Sequence, residues 1–220
     1  MEILKLEILT NDLENTERFY QDILDLLIVK RGDNGVSFSA GSTTLTFKHI
    51  TNQKPVYHFA FNIPHNKLDE AFEWVSKRAE IMDVTPGHKI ADFVNWNAKS
   101  FYFYDNNGNI LEFIARYELE NKSDELFDGN SIINISEIGV ATDDVTTECD
   151  TLINKHNLSV FSKQPRLNNF TAMGDHNGLL ILSIASRHWY PTEKLAQKHY
   201  TKLEVGNNRQ IQVLEFHSNG

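Results

Sequence analysis

The chain has 220 residues, of which 40% are hydrophobic and 23% charged, a composition typical of soluble globular proteins. Thirty acidic against 21 basic side chains give a net charge of −9, which argues against nucleic acids and anionic membranes as partners and favours a small molecule. The single cysteine, Cys149, excludes an internal disulfide and a cysteine metal cluster. With no signal peptide and no apolar stretch of roughly 18 residues, we predict a cytoplasmic protein.

The same unit occurs three times: an alternating strand, a polar break, an amphipathic helix and short strands that end in a hairpin. The units open with "LKLEILTNDLENTERFYQDIL", "YHFAFNIPHNKLDEAFEWVSKR" and "ISEIGVATDDVTTECDTLINKH". We expect Asn11 and Glu14 to form a capping box at the first helix, and Asn66 to cap the second. One such unit cannot bury both its helix and its sheet face, so the units should pack in pairs.

The connections between the units suggest which of them pair. "ITNQKP" between the first two is short, whereas "YELENKSDELFDGNS" after the second is longer, acidic and typical of a linker. We therefore predict paired modules one and two over residues 1–117, a linker over 118–131, and a third module with a C-terminal extension over 132–220.

The stretches "LTNDLENTERFYQDILDL", "YHFAFNIP" and "FYDNNGNILEFIAR" resemble the vicinal oxygen chelate superfamily. Its members include glyoxalase I, bleomycin and fosfomycin resistance proteins and extradiol dioxygenases. The resemblance implies an α+β fold, in which tandem βαβββ modules form a half-open curved mixed sheet around a divalent metal. The implied ligand positions, on the first and last strands of modules one and two, are Lys5, Thr46, His58 and Glu112. Only His58 and Glu112 are good metal ligands, so Lys5 and Thr46 are expected to line the substrate pocket.

Strand alternation supports the same two ligands. In residues 58–63, His58 shares a face with small and polar side chains, while the aromatic side chains point the other way. Glu112 is likewise opposite in direction to its apolar neighbours. If Gly108 takes the left-handed position of the hairpin loop, Tyr102 lies across from Glu112. A carboxylate in an apolar cup requires a cation, a donor or a proton to neutralise it.

An imidazole and a carboxylate together suit Zn²⁺, Mn²⁺, Fe²⁺, Ni²⁺ or Co²⁺, and no organic cofactor is expected. A third ligand could come from Glu7, which shares a strand face with Lys5. It could also come from Glu137, which stands in the third module where His58 stands in the second. The second option requires modules two and three to face each other, and the short connection between modules one and two argues against that.

Two functions are compatible with this pocket. The first is a metal-dependent enzyme, either a lyase, an isomerase or a ring-cleaving dioxygenase, acting on a small oxygenated molecule, with Glu7 or Tyr102 as the proton-transfer residue. Trp96 and Asn97 would roof the pocket. The alternative is a metal-free binding or sequestering protein of the bleomycin-resistance type, in which Lys5 pairs with the pocket carboxylate.

The third module lacks a counterpart of Glu112, because Leu182 occupies the corresponding place. We therefore expect this module to cover a sheet edge or to pair with its copy in a homodimer.

Overall fold

The computed structural model describes residues 1–207 and 209–217, and within them the strands form two mixed sheets. The first sheet has the order β13-β12-β1-β4-β3-β2 and the second the order β10-β11-β9-β5-β8-β7-β6. None of the described helices is long and apolar enough to span a bilayer. The elements follow the chain as β1 Glu2–Thr10, α1 Leu13–Arg18 with a π-helical continuation Phe19–Ile23, β2 Leu27–Gly32, β3 Gly35–Ala40, β4 Thr43–His49, β5 His58–Ile63, α2 Leu68–Ser76, β6 Ala91–Phe93, β7 Ala98–Tyr104, β8 Ile110–Arg116, β9 Asn134–Thr142, α3 Val145–His156, β10 Phe170–Asp175, β11 Gly178–Ile184, β12 Thr201–Asn207 and β13 Gln210–Phe216.

Modules two and three, rather than one and two, share a sheet. β5 lies antiparallel to β9, with Ala60 opposite Glu137. β1 instead lies antiparallel to β12, with Leu6 opposite Leu203, so the C-terminal hairpin β12–β13 occupies the place where another module would pair. The expectation that modules one and two face each other is therefore wrong. Loop-closure free energy grows only slowly with length, so the longer connection did not prevent this pairing.

The helix starts differ from the predicted ones. Asp12, not Asn11, caps α1, because its Oδ1 accepts a hydrogen bond from the Asn15 backbone at 3.1 Å. Asn66 does not cap α2; its side chain bonds both backbone groups of Ser123, at 2.8 and 3.0 Å. The amide that was expected to begin a helix instead attaches the connection between modules two and three to module two.

The aromatic faces of β5 and β8 lie in a core that includes residues of both sheets and all three α-helices. Phe59, Phe61 and Phe113 are fully buried, and the rings of Phe61 and Phe113 are 5.6 Å apart. Burial of each such side chain stabilises the fold by about 1.5 to 3 kcal/mol. This anchoring leaves the opposite faces of both strands free to carry polar groups.

A buried hydrogen bond joins module one to the β7–β8 hairpin. The Tyr20 hydroxyl donates to Asp105 Oδ2 at 2.8 Å, and Asp105 also accepts from the backbone of Asn107 and Asn109 at 2.8 and 2.9 Å. Gly108 in the same turn has φ +77°, the left-handed conformation that the hairpin pattern predicted. Tyr20 thus stabilises the turn that sets the register of β8.

We expect Tyr20→Phe to lower the free energy of unfolding by about 2 kcal/mol, since hydrogen bonds to charged groups contribute roughly 1.5 to 3 kcal/mol. Urea denaturation followed by circular dichroism measures the change. Tyr117→Phe is the matched control, because the Tyr117 side chain is 42% exposed. Equal unfolding midpoints for the two variants would contradict the role given to Tyr20.

Candidate metal centre

Three neighbouring strands bring one imidazole and two carboxylates together. Ala60 on β5 lies opposite Glu112 of β8 on one side and Glu137 of β9 on the other, and His58 precedes it on the same face. One ligand atom from each of His58, Glu112 and Glu137 lies within 4.8 Å of the others. The residues are only 7%, 2% and 4% exposed. The arrangement is therefore a buried cluster of potential metal ligands.

The hydrogen bonding of His58 determines which ring nitrogen carries the proton. Nδ1 lies 3.1 Å from the Ile110 carbonyl oxygen, which can only accept, so Nδ1 is protonated. Nε2 then presents a lone pair, and it lies 3.6 Å from Glu112 Oε2. Burial lowers the pKa of His58 and keeps the ring neutral. A lone pair that faces a carboxylate requires a proton or a cation between them.

Both carboxylates are harder to ionise than ordinary glutamates. Burial raises the pKa of Glu112, opposed by the hydroxyls of Ser100 and Tyr102. Burial also raises the pKa of Glu137, to about 7 once the opposing charge of Arg116 and the added repulsion from Glu112 are included. The cluster therefore holds either a proton or a cation near neutral pH.

A fully buried arginine compensates one of the two acids. Arg116 Nη2 donates to Glu137 Oε1, and its Nε donates to Asn62 Oδ1 at 3.1 Å. Nη1 is also buried and has no hydrogen-bond partner in the described part of the chain. With Arg116 counted, two ionised carboxylates leave one uncompensated negative charge beside His58.

This donor set fits a divalent cation. A neutral imidazole with two carboxylates is a common ligand combination for Zn²⁺, Mn²⁺ or Fe²⁺, and bonds of about 2.0 to 2.2 Å place tetrahedral ligands roughly 3.4 Å apart. The 3.6 Å between His58 Nε2 and Glu112 Oε2 is close to that separation. Glu137 could contribute the oxygen that Arg116 does not use.

The cluster lies in a cavity of about 450 Å³. Part of its wall comes from the segment between β11 and β12, residues 185–200, which we call the strap. Trp189 of the strap lies against β9 at Gly139, where a Cβ would approach the indole to 2.6 Å, so glycine is needed there. The aromatic lining residues are Phe93, Trp96, Tyr102, Phe170, Trp189 and Tyr190. A cavity of this size and lining suits a small organic molecule.

Three residues predicted for the site lie on the other sheet, and their assignment to this pocket is wrong. Lys5 is exposed and pairs with Glu204 at 2.8 Å. Glu7 accepts a hydrogen bond from the Tyr200 hydroxyl at 2.7 Å, and Thr46 lies 2.9 Å from a serine hydroxyl on β3. The cause is the pairing of β1 with β12, which separates module one from the cavity.

Of the two residues that were predicted to roof the pocket, one lines the cavity and the other does not. Trp96 lines the cavity and packs edge to face on Phe161, with ring centroids 5.0 Å apart. Asn97 is exposed and ends the helical turn Val94–Trp96 in the left-handed conformation, with φ +49°. Its side chain is not part of the lining, so the prediction for Asn97 is wrong.

The β7–β8 register fixes the position of Tyr102, and the β9–β11 register shows which residue of module three corresponds to Glu112. Tyr102 lies directly opposite Glu112, as the hairpin predicted, and burial raises the pKa of its hydroxyl well above 10. In module three, Ile181 and not Leu182 lines the cavity, while Leu182 belongs to the core. The place in module three that corresponds to Glu112 is therefore apolar, as predicted. The residue that occupies it is Ile181, so the assignment of Leu182 is wrong.

Arg116 and the strap were not predicted from the sequence. Arg116 follows Glu112 by two alternation steps on β8, so period-two spacing could have placed it on the same face. The strap shows no alternation or helical spacing that would have indicated its position over the cavity.

Comparisons with known proteins agree with this fold. The model of the Glyoxalase/Bleomycin resistance protein/Dioxygenase superfamily matches residues 2–113, half of the chain. A candidate dioxygenase from Bacillus subtilis shares the fold with a TM-score of 0.61 at 18% identity. That match covers 83% of this chain and 63% of the Bacillus chain, so this chain spans less than two thirds of that protein.

Two further solved structures are similar over about half of this chain. A lactoylglutathione lyase from Agrobacterium tumefaciens has 22% identity and a TM-score of 0.41, covering 50% of this chain and 90% of its own. A fosfomycin resistance protein from Listeria monocytogenes, in complex with Mn(II), has 21% identity and a TM-score of 0.40, covering 50% and 86%. No curated protein matches the chain. The family match and the curled sheet of βαβββ modules together show that this chain belongs to the Glyoxalase/Bleomycin resistance protein/Dioxygenase superfamily.

Proposed function

We propose that this chain is a metal-dependent enzyme that acts on a small oxygenated molecule in the cavity, as a lyase, an isomerase or a ring-cleaving dioxygenase. His58, Glu112 and Glu137 would hold one divalent cation. The observation that carries the proposal is the proton-free Nε2 of His58, which faces a buried carboxylate at 3.6 Å with a second carboxylate beside it.

A divalent cation bound there supplies a Lewis acid for negative charge that develops on substrate oxygens. The residues of the chain provide the rest of the site. Tyr102 stays protonated beside Glu112 and can donate a hydrogen bond to a substrate oxygen. The aromatic walls exclude water and orient the substrate. Glu7, the other proton-transfer candidate, has no part in this proposal, because it lies on the other sheet.

Metal content is the direct test. We expect protein purified without chelator to contain about one divalent ion per chain, and His58→Ala to bind that metal on the order of 100-fold more weakly, since even outer-shell changes cost roughly 10- to 100-fold. Elemental analysis and metal titration measure both quantities. His49→Ala is the control, because His49 is exposed on β4 of the other sheet.

Two outcomes would end the proposal. One is native protein that contains no metal and takes none up on addition of Zn²⁺, Mn²⁺, Fe²⁺, Ni²⁺ or Co²⁺. The other is His58→Ala protein that binds the metal as tightly as the His49→Ala control.

A metal-free binding protein is the alternative, and Arg116 is the observation in its favour. The sequence-based form of this hypothesis paired Lys5 with Glu112; Lys5 instead pairs with Glu204, and the buried cation near the cavity is Arg116, which pairs with Glu137. The same metal analysis separates the two functions. The third module forms half of the cup within this chain, so an odd number of modules no longer argues for a homodimer. Homodimerisation and a cytoplasmic location stay predictions.

A further inference from the structure

The strap places a positively charged side chain, Arg187, in the cavity. This side chain is not part of the candidate metal centre. Arg187 lines the cavity, is partly exposed, and stacks with its guanidinium 4.5 Å from the centre of the Phe170 ring. Within residues 1–207 and 209–217, its guanidinium forms no hydrogen bond and no ion pair. An arginine whose guanidinium lies over an aromatic ring and has no hydrogen-bond partner keeps its five donors available for a ligand.

The cavity is therefore polar at two separate places. His58, Glu112 and Glu137 form a buried acidic floor, and Arg187 makes no ion pair with either glutamate. Gln164 also lines the cavity and, within the described chain, its side-chain amide forms no hydrogen bond. Leu167 and Tyr190, both lining residues, are 44% and 42% exposed and mark the mouth. Arg187 is partly exposed as well, in contrast to the three buried residues of the floor.

We propose that the cavity takes a small, flat, largely aromatic molecule that carries a carboxylate, and that Arg187 recognises this carboxylate. The guanidinium offers two parallel N–H donors that match a carboxylate, and such charge-assisted pairs are roughly twice as strong as neutral hydrogen bonds. Aromatic walls between the floor and the mouth fit a planar ring. The inference rests on the proposed function for the other end of the molecule, whose oxygens would face the metal centre.

Electrostatics fixes the orientation of such a ligand. A carboxylate at the floor would lie beside Glu112 and Glu137, both acidic and nearly fully buried, and would be repelled. At the mouth, it meets the one lining cation that has no partner among the described residues. Arg187 is thus a specificity-determining residue that both selects acids over neutral analogues and directs the opposite end of the ligand toward His58.

Benzoate and its neutral analogue benzamide test the inference. We expect the protein to bind benzoate at least tenfold more tightly than benzamide, and Arg187→Gln to weaken benzoate at least tenfold while benzamide binding stays the same. Arg187→Lys should restore part of the preference, since it keeps the charge and loses the planar fork. Isothermal titration calorimetry measures binding, and quenching of Trp96 and Trp189 reports occupancy of the cavity. Arg31→Gln is the matched control, because Arg31 is exposed on the other sheet and pairs with Glu17.

Equal binding of the two probes, binding of neither at millimolar concentration, or unchanged benzoate affinity in Arg187→Gln would overturn the inference. Equal weakening of both probes would also overturn it, because Arg187 would then act through packing. The titrations are done on metal-loaded and on chelator-treated protein. A benzoate preference without metal binding refutes the proposed function alone, whereas metal binding without the preference refutes this inference alone.

Discussion

Replacing Arg116 with methionine lowers the free energy of unfolding of the metal-free protein by about 3 to 5 kcal/mol, the range for removing one partner of a buried ion pair. Arg116 is fully buried, and its loss leaves Glu137, which is 4% exposed, without its cation. The Asn62 oxygen also loses its donor. Methionine has nearly the same length and fills the space, so the change reports the lost charge more than a lost volume.

Three comparisons make this result specific, and urea denaturation at pH 8 with chelator present measures all of them. Arg18→Met removes an exposed ion pair with Glu14 and should cost less than about 1 kcal/mol. Adding Glu137→Gln to Arg116→Met should restore most of the lost stability, because residue 137 then carries no charge that requires the guanidinium. If Arg116→Met is no more destabilising than Arg18→Met, the buried pair has no role in stability.

The extent to which the sequence predicts this fold differs between local and long-range features. Alternation in β5 and β8 predicted that His58 and Glu112 share the cavity face with Tyr102, because strand geometry converts spacing directly into direction. The order of strand, helix and following strands was predicted for the same reason, although module three has two strands after its helix, β10 and β11, instead of three. Helix caps were less certain, since Asn11 and Asp12 are adjacent and both can accept a hydrogen bond from the first helical turn.

The pairing of modules depends on contacts between distant parts of the chain. Within their own modules β1 and β9 are edge strands, and nothing in their local sequence specifies that β12 pairs with β1 and β5 with β9. The β5–β9 pairing brings Glu137 to the site, and the β1–β12 pairing separates Lys5 from the site. Arg187 and Trp189 depend on the path of the strap, which is set by tertiary packing and carries no periodic pattern.

In the metal-free protein we expect stability to fall as the pH rises from about 4.5 to 7. Burial raises the pKa of Glu137 from its ordinary value of 4.5 to about 7 in the folded state. Below pH 4.5 both the folded and unfolded chains hold the proton, so stability is at its full value. Between the two pKa values the unfolded chain releases a proton that the folded protein keeps, which favours unfolding. The loss is about 3 kcal/mol and is complete above pH 7, since each pH unit contributes about 1.4 kcal/mol.

Urea midpoints measured at pH 5 and pH 8 with chelator present test this dependence. Glu137→Gln removes the titrating group and should flatten the profile, whereas Glu125→Gln, at an exposed site, should leave it unchanged. A profile as steep in Glu137→Gln as in the unmodified protein would show that other groups cause it. Metal should reverse the trend, because a bound divalent cation requires Glu112 and Glu137 to be ionised and so binds more tightly as the pH rises. The same two carboxylates that destabilise the metal-free protein at neutral pH thus provide the driving force for binding a cation.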